Sequence, residues 1–196
     1  MNEYDILYEK LKNYPKYPSV GNRIKLSKSG KRLNSLLLGI RSKVGAYYRK
    51  NKKLNPNIME QTTTPEGNEL YKIISTIIKN KYPDFNFNQI IINKNSNFLI
   101  HKDKNNLNPE SLIFAVGNYE EDLGGGIELF ADPDVECIDN ILRCIEDRKP
   151  YDILHIKNNP IIFKGKEIYH STQDFIGDRY CVVAYMNKIP LRYIPY

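Results

Sequence analysis

The sequence predicts a mixed α and β but mainly β chain, folded as an antiparallel double-sheet barrel or jelly roll with helices packed at its N-terminal side. Three observations carry this. Seven short β-prone runs recur after Pro83, turn residues separate them, and one strongly periodic helix precedes them. A chain of 196 residues with 41% apolar and 27% charged residues is long enough for one compact domain with its own core.

The elements follow in order. Glu3 to Leu11 can form a short amphipathic helix with Ile6, Leu7 and Leu11 on one face, ended by Pro15 and Pro18. Leu36-Leu37-Leu38 is a buried strand or helix piece, and the Lys/Arg/Tyr-rich stretch from Arg41 to Lys53 reads as exposed surface. The clearest helix begins where Thr64 can cap it and Pro65 suits its first turn. Leu70, Ile73, Ile74, Ile77 and Ile78 keep the spacing of one helical face, and Tyr82-Pro83 closes it. The β-prone runs are Phe87–Asn93, Phe98–His101, Ser111–Val116, Ile127–Phe130, Ile153–Ile156, Ile161–Phe163 and Tyr180–Met186. Asn105-Asn106, Gly124-Gly125-Gly126, Asn158-Asn159-Pro160 and Gly177 stand between them. The expected division is a basic N-terminal extension, 1–60, packed on a core of 61–196.

Charge is unevenly distributed. Residues 1–60 carry 14 Lys and Arg against four acids (Glu3, Asp5, Glu9, Glu60), a net +10. The chain totals +6, so the other 136 residues sum to −4. A basic segment on a mildly acidic body points to a polyanionic partner, nucleic acid being the commonest; a solvated lysine face is the plainer alternative. No apolar run approaches the roughly 18 residues of a membrane span, and Met1 to Leu11 lacks the pattern of a secretory signal. An intracellular protein, cytoplasmic or nuclear, is expected, with no membrane and no obligate protein partner. Cys137, Cys144 and Cys181 form no Cys-x-x-Cys pair and are expected to be reduced thiols.

Chemistry concentrates late in the chain. His101-Lys102-Asp103 sits where the apolar run Phe98-Leu99-Ile100 meets a polar turn, and residues i and i+2 of an extended chain point the same way. A third ligand would complete the two-His-one-carboxylate triad of non-haem iron(II). The pair alone also suits a surface histidine beside an aspartate. Of the two remaining histidines, His170 ends the run Ile161 to Tyr169, and Arg179 opens the next run after Gly177. If these two runs pair antiparallel, Arg179 lies near His170 but displaced from the metal. Its guanidinium can then grip the far end of a dicarboxylate whose other end chelates iron. His155 lacks such a context and reads as an ordinary strand residue.

His101-x-Asp103, Gly124-Gly125-Gly126-Ile127-Glu128-Leu129, Phe163-x-Gly165 before His170, and Gly177-x-Arg179-Tyr180 together resemble the 2-oxoglutarate/iron(II) dioxygenase superfamily. The resemblance covers roughly residues 86–188, about half of the chain. It implies a double-stranded β-helix core, Fe(II), 2-oxoglutarate and O2 as cofactors, and hydroxylation of an unactivated C–H bond, with His101, Asp103 and His170 as catalytic metal ligands. Arg179 would bind the cosubstrate, with Cys181 where many relatives carry a serine and Asn93 on the strand before the metal strand. The segment His101 to Ser111 is similar to the TET/JBP-like branch, which oxidises methylpyrimidines in nucleic acid. There an asparagine five residues after the first metal histidine contacts the base, and Asn106 matches; a turn residue is the plain alternative. Arg49 and Lys50, beside Tyr47-Tyr48, are candidates for phosphate contact, with a solvated loop as the alternative. The expected substrate is 5-methylcytosine or a related methylpyrimidine, with RNA or single-stranded DNA favoured because so short a chain has little room to wrap a duplex. A prolyl or lysyl side-chain hydroxylase and a non-catalytic nucleic-acid-binding barrel are the alternatives.

Overall fold

The computed structural model describes residues 1–40, 62, 64–104, 106–132 and 149–187. Helix α1 (Glu3–Lys12) starts at a capping box. The Asn2 side chain accepts from the Asp5 N–H at 2.9 Å, and the Asp5 carboxylate accepts from the Asn2 N–H at 3.1 Å. Its buried stripe is Leu7 and Leu11, flanked by Tyr4 and Tyr8, whereas Ile6 faces solvent. The two tyrosines fill the helix–sheet contact that the sequence assigned partly to Ile6; Tyr4, for one, packs edge-on against Phe114.

Helix α2 (Pro65–Lys81) matches its sequence signals. The Thr64 hydroxyl accepts from the Gly67 N–H at 3.0 Å, Pro65 opens the first turn, and Leu70, Ile74, Ile77 and Ile78 are buried. Ile74 is 0% exposed at the centre of this contact. Ile74→Ala is expected to cost about 2–5 kcal/mol of stability in a urea titration, while metal binding at a site on the far side of the sheet stays unchanged.

Among the described residues nine strands build two antiparallel sheets: β1 (Ser19–Val20), β2 (Leu33–Gly39), β3 (Gln89–Lys94), β4 (Asn106–Gly117), β5 (Ile127–Phe130), β6 (Asp152–Leu154), β7 (Ile161–Phe163), β8 (Tyr169–Thr172) and β9 (Arg179–Asn187). The large sheet runs β1-β2-β3-β9-β4-β7 and the small one β6-β5-β8. Side chains alternate across a strand, so the large sheet has two buried faces. Ile90, Ile92, Leu112, Phe114, Val116, Tyr180, Val182 and Ala184 pack on α1 and α2. Ile113, Ala115 and Cys181 point the other way and pack with Ile127 and Leu129 of the small sheet. Burial on both faces explains why these strands read as continuous apolar runs.

Two expectations change. Phe98–His101 is not a ladder strand but is tied down by isolated bridges, Ser27 to Phe98 and His101 to His170. The run Ile161 to His170 is two strands in different sheets, because Lys164 to Ile168 turn the chain, with the Glu167 and Ile168 N–H groups both donating to the Lys164 carbonyl at 2.9 Å. Strands β8 and β9 are therefore not partners. No helix among the described residues is long and apolar enough to cross a membrane.

Candidate metal centre

Two backbone contacts bring three metal-ligating side chains together. His101 and His170 exchange both backbone hydrogen bonds at 2.9 Å, which places their side chains on one face with ring centroids 4.4 Å apart. The Asp103 N–H donates to the Gly165 carbonyl at 2.9 Å, which carries the aspartate back toward the same point. His101 Nε2 lies 3.9 Å from Asp103 Oδ1, and one donor atom from each of His101, Asp103 and His170 falls within 4.8 Å of the other two. That is the donor set of a two-His-one-carboxylate centre.

The histidine tautomers follow from their neighbours. His101 Nδ1 lies 2.7 Å from the Leu99 carbonyl and His170 Nδ1 lies 2.9 Å from the Ile168 carbonyl. A carbonyl only accepts, so each Nδ1 carries the proton and each Nε2 keeps its lone pair for a metal. The Phe98 ring packs 5.6 Å from the His101 ring, and the Phe163 ring meets that of His170 edge-on at 5.1 Å. His155 stands outside this group, exposed and 3.9 Å from Glu121 Oε1.

Arg179 begins β9 opposite Gly117 and is only 1% exposed. Its Nε donates to the Gly125 carbonyl at 2.8 Å, but its Nη2 is sealed from solvent with no hydrogen-bond partner. Among the described residues no carboxylate pairs with it. The phenyl ring of Phe175 and the phenol ring of Tyr119 lie 5.3 and 5.8 Å from the guanidinium carbon. The Tyr119 hydroxyl is also sealed and unpartnered. Burial raises its pKa well above the usual phenol value despite the nearby Arg179, so it keeps its proton as a donor. Unsatisfied buried polar groups are few in native proteins, and two of them side by side mark a place that an acceptor would complete, where Arg179 also acts on the Tyr119 hydroxyl and the Cys181 thiol.

The glycines of the Gly124-Gly125-Gly126 turn are part of that place. Gly125 has φ +86°, its carbonyl holds Arg179, and a Cβ on it would lie 2.6 Å from the Tyr119 ring. Cys181 faces the same interior, two residues along β9 and paired in register with Asn93. Burial raises the Cys181 thiol pKa and Arg179 partly opposes the rise, so the group stays a neutral thiol. Asn93 is buried with its Oδ1 accepting from the Ser35 hydroxyl at 2.7 Å. Asn106 is buried beside Asp103, its amide nitrogen 3.3 Å from Asp103 Oδ2 and 2.6 Å from Ser111 Oγ. Arg49 and Lys50 lie outside the described residues, as do Cys137 and Cys144.

The site thus unites His101, Asp103, His170 and Asn106, and places Arg179, Cys181 and Asn93 on the inner face of the large sheet. Sequence reasoning missed Tyr119, Phe175 and Ser111. Tyr119 carried one usable signal, a polar-tipped aromatic just past the apolar run of β4; Ser111 carried none.

The structure of NgTET1 in complex with 5mC DNA matches with a TM-score of 0.50 at 13% identity, over 94% of this chain and 67% of that one. A Pseudomonas putida prolyl-4-hydroxylase matches at 0.46 and 9% identity, over 95% and 84% of the two chains. A Phytophthora capsici prolyl 4-hydroxylase matches at 0.38 and 13% identity, over 67% and 45%. No family model matches the chain, and no curated protein matches its sequence. The chain shares the fold of NgTET1. At the level of fold it matches a member of the TET-like branch, which is the branch its motifs resemble.

Proposed function

We propose that this chain is an iron(II)- and 2-oxoglutarate-dependent oxygenase acting on the methyl group of 5-methylcytosine, or a related methylpyrimidine, in RNA or single-stranded DNA. Its core would be a double-stranded β-helix within residues 61–196, with 1–60 as a basic segment that packs on it and extends its large sheet by β1 and β2. The observation that carries the reading is Arg179. A His-Asp-His group suits several metal chemistries, but a fully buried guanidinium with an unpartnered nitrogen and no carboxylate partner among the described residues calls for an anionic ligand in the interior.

The residues fit that cofactor pair. His101 Nε2, His170 Nε2 and Asp103 Oδ1 would hold the metal, and Arg179 Nη2 with the Tyr119 hydroxyl would hold the far carboxylate of 2-oxoglutarate. The chemistry such a centre supplies is oxidation of an unactivated C–H bond, driven by oxidative decarboxylation of 2-oxoglutarate. The chain's own part is to position and to exclude water. The apolar cluster of Ile113, Ala115, Ile127, Leu129, Ile156 and Phe163 walls the interior between the sheets. Cys181 and Asn93 line the cosubstrate side. Asn106 would have only its carbonyl left for a base, since its amide is committed to Asp103 and Ser111.

Nucleic acid is supported by the +10 charge of residues 1–60, with Arg49 and Lys50 as phosphate contacts, and by a fold shared with NgTET1. The test offers the protein a methylcytosine-containing single strand, as RNA and as DNA, and a proline- and lysine-rich peptide pool, with iron, 2-oxoglutarate and O2. Mass spectrometry is expected to find one added oxygen on the oligonucleotide only. Neutralising Arg49, Lys50, Lys52 and Lys53 together is expected to weaken strand binding and to flatten its log–log salt dependence, by about 0.7 for each phosphate that is no longer neutralised. Oxygen added to the peptides and not to the strands would replace this reading with a side-chain hydroxylase.

A further inference from the structure

Asn106 and Ser111 are both on β4, five residues apart. On a regular strand that separation is about 16 Å, and the two side chains point to opposite faces. Here the Asn106 amide nitrogen lies 2.6 Å from the Ser111 hydroxyl. The cause is a built irregularity. Asn106 pairs with Asn187 and Ser111 with Tyr185, so five steps along β4 answer to two along β9 and three residues loop out between them. Bulges of this kind re-aim side chains and are found next to active sites. Pro109 lies within the loop, where a residue without an N–H takes nothing from the ladder, and its carbonyl accepts from the Lys166 N–H at 3.4 Å.

The re-aimed side chain meets Asp103. Asn106 Nδ2 lies 3.3 Å from Asp103 Oδ2, and the orientation of the amide is fixed because a carboxylate only accepts. Both amide protons are therefore used, one by Ser111 and one by Asp103. Gly165 also crowds Oδ2, since a Cβ on it would lie 2.7 Å from that oxygen. The two carboxylate oxygens thus have separate surroundings. Oδ2 meets Asn106 and Gly165, while Oδ1 is the oxygen 3.9 Å from His101 Nε2.

We propose that Asn106 is a positioning residue for the metal carboxylate. Braced by Ser111 across the β4 irregularity, it fixes Asp103 Oδ2 so that Oδ1 is left for the metal. This rests on the metal centre proposed above and adds to Asn106 a role that does not depend on substrate. A partner that orients a metal ligand typically contributes 10- to 100-fold in metal affinity, and the tighter of the two Asn106 hydrogen bonds, that to Ser111, makes Ser111 the anchor of the pair.

The experiment titrates Mn(II) into the full chain, without 2-oxoglutarate or nucleic acid, and follows free Mn(II) by electron paramagnetic resonance. Asn106→Leu, close in volume but without hydrogen bonds, is expected to bind on the order of 10- to 100-fold more weakly. Ser111→Ala is expected to weaken binding by a smaller factor, and it remains the test if the leucine variant fails to fold. Substrate-free decarboxylation of 2-oxoglutarate by Asn106→Leu should fall at low iron and recover at high iron, a rescue that weakened base recognition does not produce, while an unchanged urea midpoint without metal sets it apart from general destabilisation. Mn(II) affinity equal to wild type in a folded Asn106→Leu protein overturns the proposal and leaves Asn106 to the substrate alone. A wild-type protein that binds no Mn(II) overturns the metal centre itself, a different and separately visible outcome.

Discussion

His101→Ala is expected to lose metal binding and turnover together while keeping the fold. A triad has no spare ligand, and its three donors come from positions that replace one another poorly: the 101–170 bridge supplies both histidines and Asp103 reaches in from the 103–165 hydrogen bond. The structural cost is expected to be modest, because His101 belongs to neither of the two large apolar clusters. Its ring hydrogen-bonds the Leu99 carbonyl, and losing that bond costs about 0.5–1.5 kcal/mol. Circular dichroism and the urea midpoint should therefore stay close to wild type, while Mn(II) binding and 2-oxoglutarate decarboxylation disappear. The sharper control is His155→Ala. It removes an exposed histidine whose ring lies 3.9 Å from Glu121, and it should change neither quantity. Turnover at the wild-type rate by His101→Ala, at equal iron loading, would end the assignment of the centre.

How much of this is legible in the sequence depends on whether the cause is local. Helix α2 can be read because its cap, its Pro65 and its 3.6-residue spacing all lie within the segment. Strands β3, β4 and β9 can be read because burial on both faces makes each a continuous apolar run. The break between β7 and β8 cannot, since Lys164-Gly165-Lys166-Glu167 turns the chain between two sheets and sheet membership is decided by residues far away. That break changes the neighbours of Arg179: the sequence pattern puts it beside the His170 strand, whereas it meets Gly125, Tyr119 and Phe175. The His101, Asp103 and His170 group is legible through four short motifs in order, since His-x-Asp alone suits a surface pair equally well. Ile6 is misplaced because helical spacing does not say which of two adjacent stripes the tyrosines will fill. An unpartnered atom belongs to the assembled interior, so the chain can point to Arg179 and Tyr119 as residues but not to the missing partners of Arg179 Nη2 and the Tyr119 hydroxyl.

Arg179→Met is expected to raise the apparent KM for 2-oxoglutarate at least 10- to 150-fold, roughly the 1.5–3 kcal/mol of a charge-assisted hydrogen-bonded pair. Strand binding, measured separately, should not change. The stability of the ligand-free protein separates this from simple damage. In wild type the guanidinium is buried with one nitrogen bonded to Gly125 and no carboxylate partner among the described residues, an arrangement that costs stability until an anion arrives. Methionine removes that uncompensated charge while conserving most of the volume, so the ligand-free variant should melt no lower than wild type despite losing the Gly125 bond. The wild type should then gain stability with 2-oxoglutarate and Mn(II), about 2.7 kcal/mol at a ligand concentration 100 times Kd, and the variant should gain almost none. Arg179→Lys keeps the charge but not the planar fork and should fall between them. Tyr119→Phe keeps the ring against Arg179 and loses only a neutral donor, so its KM should rise by roughly a tenfold factor or less. If Arg179→Met keeps both the wild-type KM and the 2-oxoglutarate-dependent stabilisation, the buried guanidinium is not the anchor, and the cosubstrate assignment falls with it.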